Sequence, residues 1–222
     1  MVFMGDSERA ADLAKENSMK VGLHLNFTQE LILRVSSSML RDHHRRIMSF
    51  LAKNKYNFLI YNPGLRRPFD YVVKAQIEEF ERLYGEPPGH IDGHHHMHLC
   101  ANMLVRGMIP NGLRVRRNFT FAQGEKSFLN RAYRAAIDKW LTRRYVTTDY
   151  LFSLSERIKT GRLVHALEIA RKSWVELETH PEVQIEFEWL KGSAFVQAIF
   201  SQESRSHAQF KERCESESRV IQ

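Results

Sequence analysis

The chain has 222 residues, 43% hydrophobic and 27% charged, values of a globular protein that exclude global disorder. Its 33 Lys and Arg against 26 Asp and Glu leave a formal net charge of +7, and two cysteines cannot form a disulfide framework. No apolar run approaches the roughly 18 residues of a membrane span, and the N-terminus lacks a signal-peptide pattern, so a soluble, cytoplasmic protein is expected.

Taken in chain order, the apolar spacing predicts a helix over Ser7–Asn17, capped by Asp6 or Ser7, with Ala10, Leu13 and Ala14 on one face. A strand follows over Lys20–Phe27, then helices over Ser37–Lys55 and Phe69–Tyr84, the latter stopped by Gly85 and the Pro87-Pro88 pair. His90–His98 reads as a strand running into a turn, and Gly112–Arg117 as a short strand. Lys126–Tyr145 is a basic amphipathic helix and Glu156–Arg171 another. Trp174–His180 is a strand stopped by Pro181, Ile185–Phe200 a helix, and 201–222 a polar, weakly ordered tail. Strands separated by helices imply an α/β fold with a mostly parallel sheet, open or closed as a barrel. Residues 1–200 are expected to form one domain.

Three of these segments carry histidines in patterned positions. In Val21–Thr28, Gly22, His24 and Asn26 share one strand face. A buried parallel strand should be apolar on both faces, so His24 is either a satisfied core histidine or a ligand. In Gly89–Leu99, His90, Asp92, His94, His96 and His98 alternate, so an extended segment puts all five on one side. Imidazole with a carboxylate suits Zn, Fe, Mn or Ni, and such a row is costly to bury unless something binds it. The bland alternative is a solvent-facing histidine run. In Trp174–Pro181, Glu176, Glu178 and His180 share a face, which also suits an edge strand with one wet side. Together the three strands favour a single site at their C-terminal ends, where parallel α/β proteins bind ligands.

The run Leu113–Arg117 holds three arginines, which either pair with buried carboxylates, contact a sugar, or form a plain surface cluster. Residues 106–172 carry a net +10, but Phe128, Tyr133 and Trp140 on the basic helix are expected to pack inward, and nucleic-acid binding is not expected. Cys100 has no supporting partner for a nucleophilic role.

These motifs in this order, Gly22-Leu-His-Leu-Asn26, His90 to His98, Leu113-Arg-Val-Arg-Arg117, Thr147-Thr-Asp-Tyr-Leu151 and Glu176-Leu-Glu-Thr-His-Pro181, resemble the YdjC-like carbohydrate deacetylases over about Met4 to Phe200. The resemblance implies an irregular (β/α)-barrel-like fold and metal-dependent hydrolysis of an N-acetyl group from an amino sugar or oligosaccharide. It implies His24 and His94 as metal ligands, Asp92 in the same motif as the available base, and His180 as general acid. Asn26, His96, Arg117 and Glu176 are the candidate substrate contacts, with Glu176 or Glu178 orienting His180. The implied cofactor is a divalent ion, Mg2+ or Zn2+. Homo-oligomerisation is left open.

One departure matters. The family begins with a strand ending in Ala-Asp-Asp-Phe-Gly, whose aspartates supply a ligand and a base, and nothing here matches it. The chain is therefore expected to start at the family's second strand, roughly 40 residues late. The competing expectation is a metal-binding or sugar-binding remnant of the same fold that hydrolyses nothing.

Overall fold

Helices and parallel strands alternate through the protein, whose computed structural model describes residues 1–32, 37–193 and 195. The chain divides into two compact units, Met1–Val115 and Arg116–Gln222.

The first unit is built on a three-stranded parallel sheet in the order β1 (Leu23–Leu25), β2 (His90–Gly93), β3 (Arg114–Val115). The register sets Leu23 opposite Ile91 and His24 opposite Asp92. Leu23, Leu25 and Ile91 are fully buried, as the alternation requires. Helix α1 (Ser7–Glu16) packs on α3 (Arg66–Tyr84), which also packs on α2 (Ser38–Lys53) and β1. The buried face of α1 is Ser7, Ala11 and Ala14, whereas Leu13 is exposed, one step round the helix from the expected face. Asp6 occupies the cap position without a capping side-chain bond.

Helix α3 contributes Phe69, Val72, Val73 and Phe80 to the core, with the Phe69 ring 5.1 Å from that of Phe27. It ends where Gly85 turns left-handed, at φ 78°, and returns its N–H to Glu81. Its buried Gln76 takes over where β1 stops. The Asn26 N–H donates to Gln76 Oε1 at 2.7 Å, and Gln76 Nε2 donates to the Asn26 carbonyl at 3.1 Å. These two bonds satisfy backbone groups that no neighbouring strand reaches. The short helix α4 (Ala101–Arg106) precedes β3.

His44 of α2 is buried, and burial lowers its pKa although a backbone bond to Asn26 and the Glu30 carboxylate oppose that shift. A histidine with a depressed folded pKa costs nothing while both states are neutral. As pH falls below 6.5, the unfolded chain takes the proton first, and stability is lost until the folded pKa is reached. Urea unfolding of wild type should therefore lose up to about 1 kcal/mol more than His44→Gln between about pH 7.5 and pH 5.5. Parallel losses would show that His44 is not the titrating group.

The second unit holds α5 (Phe128–Leu141), β4 (Tyr150–Ser153), α6 (Leu154–Lys159), α7 (Leu163–Ala170), β5 (Val175–Glu178) and α8 (Gln184–Lys191). Strands β4 and β5 pair in parallel from Tyr150 opposite Val175 to Ser153 opposite Glu178. Leu151, Phe152 and Leu154 are buried with Leu141 and Ala166. The single helix expected over Glu156–Arg171 is two helices, because Gly161 adopts φ 66° and breaks the run. On α5, Phe128 and Tyr133 are exposed at 74% and 38%, so the inward packing expected for them does not occur. The expected continuation of the last helix past 195, and the tail over 201–222, lie outside the described residues.

No helix among the described residues is long and apolar enough to cross a membrane.

Candidate functional site

The parallel register that aligns β1 and β2 sets His24 and Asp92 side by side on one sheet face. His24 Nδ1 lies 2.9 Å from Asp92 Oδ1. A carboxylate only accepts, so Nδ1 carries the proton of this bond and Nε2 is the nitrogen left for another partner. Asp92 is 5% exposed, and this bond fixes both the tautomer and the ring orientation of His24.

Strand β2 stops at Gly93, and the chain then winds into a 3₁₀ segment, His94–Leu99. The five-residue row expected along one extended face is therefore corrected: only His90 and Asp92 lie in the strand. The reason is local. His95 and His96 adopt left-handed backbone, at φ 53° and 58°, which turns the segment sharply. Gly93 makes room for it, since a Cβ there would meet the His98 backbone nitrogen at 2.9 Å. Two non-glycine residues in the left-handed region store strain of about 1–3 kcal/mol each. The His90 ring instead covers Gly22, where an added Cβ would sit 2.2 Å from it. His98 is buried.

The sharp turn brings His94 to His24, with ring centroids 5.7 Å apart and planes at 71°. Burial lowers the His94 pKa, and the neighbouring His95, His24 and Met1 amino group lower it further. Two imidazoles at this separation, one with a carboxylate behind it, could hold a divalent ion between them. Among the described residues, no group of three or more His, Cys, Asp or Glu side chains could hold a metal. His95 lies exposed beside them, its ring 4.0 Å from that of His94 and its Nδ1 3.2 Å from Thr28 Oγ1. His96 is half-buried.

Asn26 is fully buried and shapes the loop after β1. Its Oδ1 accepts the N–H groups of Thr28 and Gln29, and its Nδ2 donates to the Gln29 carbonyl at 2.7 Å. Cys100 is buried too, which pushes its thiol up to about 11 and leaves no thiolate for nucleophilic work.

In the second unit, the alternation along β5 is as expected: Glu176 and Glu178 share a face. Both carboxylates are held by Arg116, through Nε at 2.6 Å and Nη1 at 2.9 Å. They therefore brace Arg116 rather than His180. Arg117 donates to Asp138 Oδ2 from Nε and Nη2, at 3.2 and 2.8 Å, and to the Thr148 and Asp149 carbonyls from Nη1. Asp138 Oδ1 accepts from Asn118. Two of the three arginines of Leu113–Arg117 are thus internal ion-pair partners, and only Arg114 is exposed.

His180 stands two residues past β5 and is exposed. Its backbone N–H donates to Glu186 Oε2, and Ser155 donates to Glu186 Oε1 through its N–H at 3.0 Å and its hydroxyl. Burial would raise the Glu186 pKa, but these hydrogen bonds outweigh it and hold the carboxyl below its usual range. Glu186 thus pins the His180-Pro181 turn. Nothing in the sequence separated this glutamate from those on the surface of α8.

The sequence profile of the YdjC-like proteins matches residues 1–214. The chain belongs to the YdjC-like family. Over 102 residues it is 31% identical to a carbohydrate deacetylase of Danio rerio, a segment covering 44% of this chain and 31% of that protein. It is 32% identical over 101 residues to a chitooligosaccharide deacetylase of Proteus mirabilis, covering 44% of this chain and 36% of the relative. A carbohydrate deacetylase of Clostridium beijerinckii is 32% identical over 108 residues, 47% of this chain and 40% of its own. The matched segments thus span about a third of the length of these relatives.

Proposed function

We propose that this YdjC-like chain carries the chemistry of a carbohydrate deacetylase: hydrolysis of the N-acetyl group of an amino sugar or oligosaccharide, assisted by a divalent ion held in part by His24 and His94. The observation that carries the reading is the His24–His94 pair at the C-terminal ends of neighbouring parallel strands, with Asp92 fixing His24. The relatives' names supply the substrate class. The irregular (β/α)-barrel fold belongs to the same proposal.

The donor set fits such an ion in kind, since neutral imidazoles with a carboxylate behind them suit Zn2+. Mg2+ prefers oxygen ligands and suits this pair less well. When bound, the ion polarises the acetamide carbonyl and acidifies water. The chain's own residues do the rest. Asp92 keeps the His24 proton on Nδ1, and the lowered pKa of His94 favours the unprotonated ring that an ion needs. His180 is the proposed general acid, giving a proton to the departing amine, on the strength of its His-Pro motif. Asp92 is the base available in residues 1–222, a poor one because its Oδ1 already accepts from His24, and Asn26, His96, Arg117 and Glu176 are the proposed substrate-site residues. Asn26, Arg117 and Glu176 would act there by positioning neighbours, because Asn26 is fully buried with its amide engaged by the loop and the charged groups of the other two are already paired.

A second reading, a metal-binding or sugar-binding remnant without hydrolysis, is favoured by the lack of a three-donor cluster among the described residues. Acetate release from short N-acetylglucosamine oligomers, with Zn2+, Mg2+ or Mn2+, separates the two. Residues 1–222 should release acetate at least about 10²-fold more slowly than a version extended with the family's Ala-Asp-Asp-Phe-Gly strand, since Asp92 is engaged by His24 and an efficient base is worth that much. In the extended version, His180→Gln should lower turnover by about 10²–10⁴-fold. An extended version as inactive as 1–222 would favour the remnant. Equal, substantial release by both would show that Asp92 or another carboxylate already serves as base.

A further inference from the structure

The second unit contains a cavity of about 460 Å³ that no part of the proposed deacetylase chemistry uses. Its size lies within the range of about 300–1,000 Å³ typical of small-molecule sites. Phe119 and Phe121 form an aromatic wall, with ring centroids 6.3 Å apart. Lys126, Arg157 and Arg162 line it together with Glu125 and Glu156, so one positive charge is in surplus.

The cationic side is built rather than incidental. Arg157 is 6% exposed, and its guanidinium lies 4.2 Å over the Phe152 ring. Its Nη2 reaches the Thr120 carbonyl at 3.4 Å and Glu125 at 3.6 Å. Its Nε is buried and has no hydrogen-bond partner among the described residues. A buried guanidinium N–H left unpaired is costly and marks a place for an acceptor. Arg162 also holds Glu125, whose other oxygen accepts the Ala122 N–H at 2.6 Å. The Lys126 ammonium lies over the Phe121 ring, 5.2 Å from its centroid, and the Arg134 guanidinium lies over the same ring at 5.1 Å, so Phe121 offers its edge, with a cation beside it.

We propose that this cavity binds a small aromatic monocarboxylate. Its ring would lie against Phe119 and the edge of Phe121, and its carboxylate would be bound by Arg157 and Arg162. The single surplus charge favours a monoanion over a doubly charged phosphate ester, and the aromatic wall favours a ring over a bare ion. The site is separate from the His24–His94 pair in the residues that form it, and its test does not depend on hydrolysis.

The test titrates residues 1–222 with benzoate and with neutral benzamide, by calorimetry and by ligand-observed NMR. Benzoate should bind saturably and at least about tenfold more tightly than benzamide, since hydrogen bonds to a charged partner are worth that much. Arg162→Gln, at a half-exposed position and checked for native circular dichroism, should weaken benzoate about tenfold and leave benzamide unchanged. Three results would each overturn the proposal: no saturable benzoate binding up to about 10 mM, equal affinity for benzamide, or wild-type benzoate affinity in folded Arg162→Gln.

Discussion

Alanine at His94 is expected to abolish divalent-metal binding by this chain, and asparagine at Asp92 to weaken it by about 10–100-fold. The two effects differ because the two side chains do different work. His94 supplies one of the two imidazole donors, and among the described residues no cluster of three exists to absorb its loss. Asp92 acts through His24: its carboxylate accepts the Nδ1 proton at 2.9 Å and so leaves Nε2 as the donor atom. Asparagine keeps the size of the side chain but loses the charge that fixes the tautomer. Zn2+ competition against a chromophoric chelator reads both variants. Wild-type affinity in Asp92→Asn would mean that the carboxylate is only a structural partner of His24.

Arg116→Met should destabilise the second unit by about 2–4 kcal/mol, near the lower end of what losing one partner of a buried pair costs. Arg116 joins Glu176 and Glu178, and its side chain is 15% exposed while theirs are 26% and 14% exposed. Removing it leaves two carboxylates on adjacent positions of one strand face, facing each other without their counter-charge. The exposure of Glu176 lets water offset part of this, which is why the upper end of the range is not expected. Adding Glu176→Gln and Glu178→Gln to Arg116→Met should recover part of the loss, because it removes the stranded charges. Urea denaturation of the three proteins measures the coupling. Equal stability of wild type and Arg116→Met would show that the fork of bonds contributes nothing in solution.

The fold was legible where period and stop signals agreed. Phe69–Tyr84 shows a helical apolar stripe and ends at a glycine, and the structure extends it only to Arg66. The Leu23-His24-Leu25 alternation also reads correctly, because one face is buried and the other carries His24. Reading failed where backbone conformation broke the period. The left-handed turn at His95 and His96 defies the preference of non-glycine residues, so nothing in His94–His98 announces it. That same turn brings His94 to His24, so the strained backbone and the candidate site coincide. Gly161 could have signalled the break between α6 and α7, but one glycine inside an apolar pattern is weak evidence. Strand β4 escaped notice because Tyr150–Ser153 is too short to show a period.

The site was legible by residue type and less so by role. The histidine pair is recoverable from motif order, but the function of Asp92 behind His24 follows only from strand register. The arginines of Leu113–Arg117 carry no sign of which carboxylate each meets, because Glu176 lies 60 and Asp138 21 positions away from its partner. Glu186 reads as an ordinary helix-surface residue until Ser155 and the His180 backbone are seen to bind it.

The central claim is that His24 and His94 share one divalent ion. A crystal of residues 1–222 soaked with Zn2+ and measured at the zinc absorption edge tests it most directly. The account predicts one anomalous peak about 2.1 Å from a nitrogen of each ring, with Asp92 still on His24 Nδ1. A zinc-soaked crystal with no peak between these two rings, or with its zinc bound only at other histidines, would contradict it.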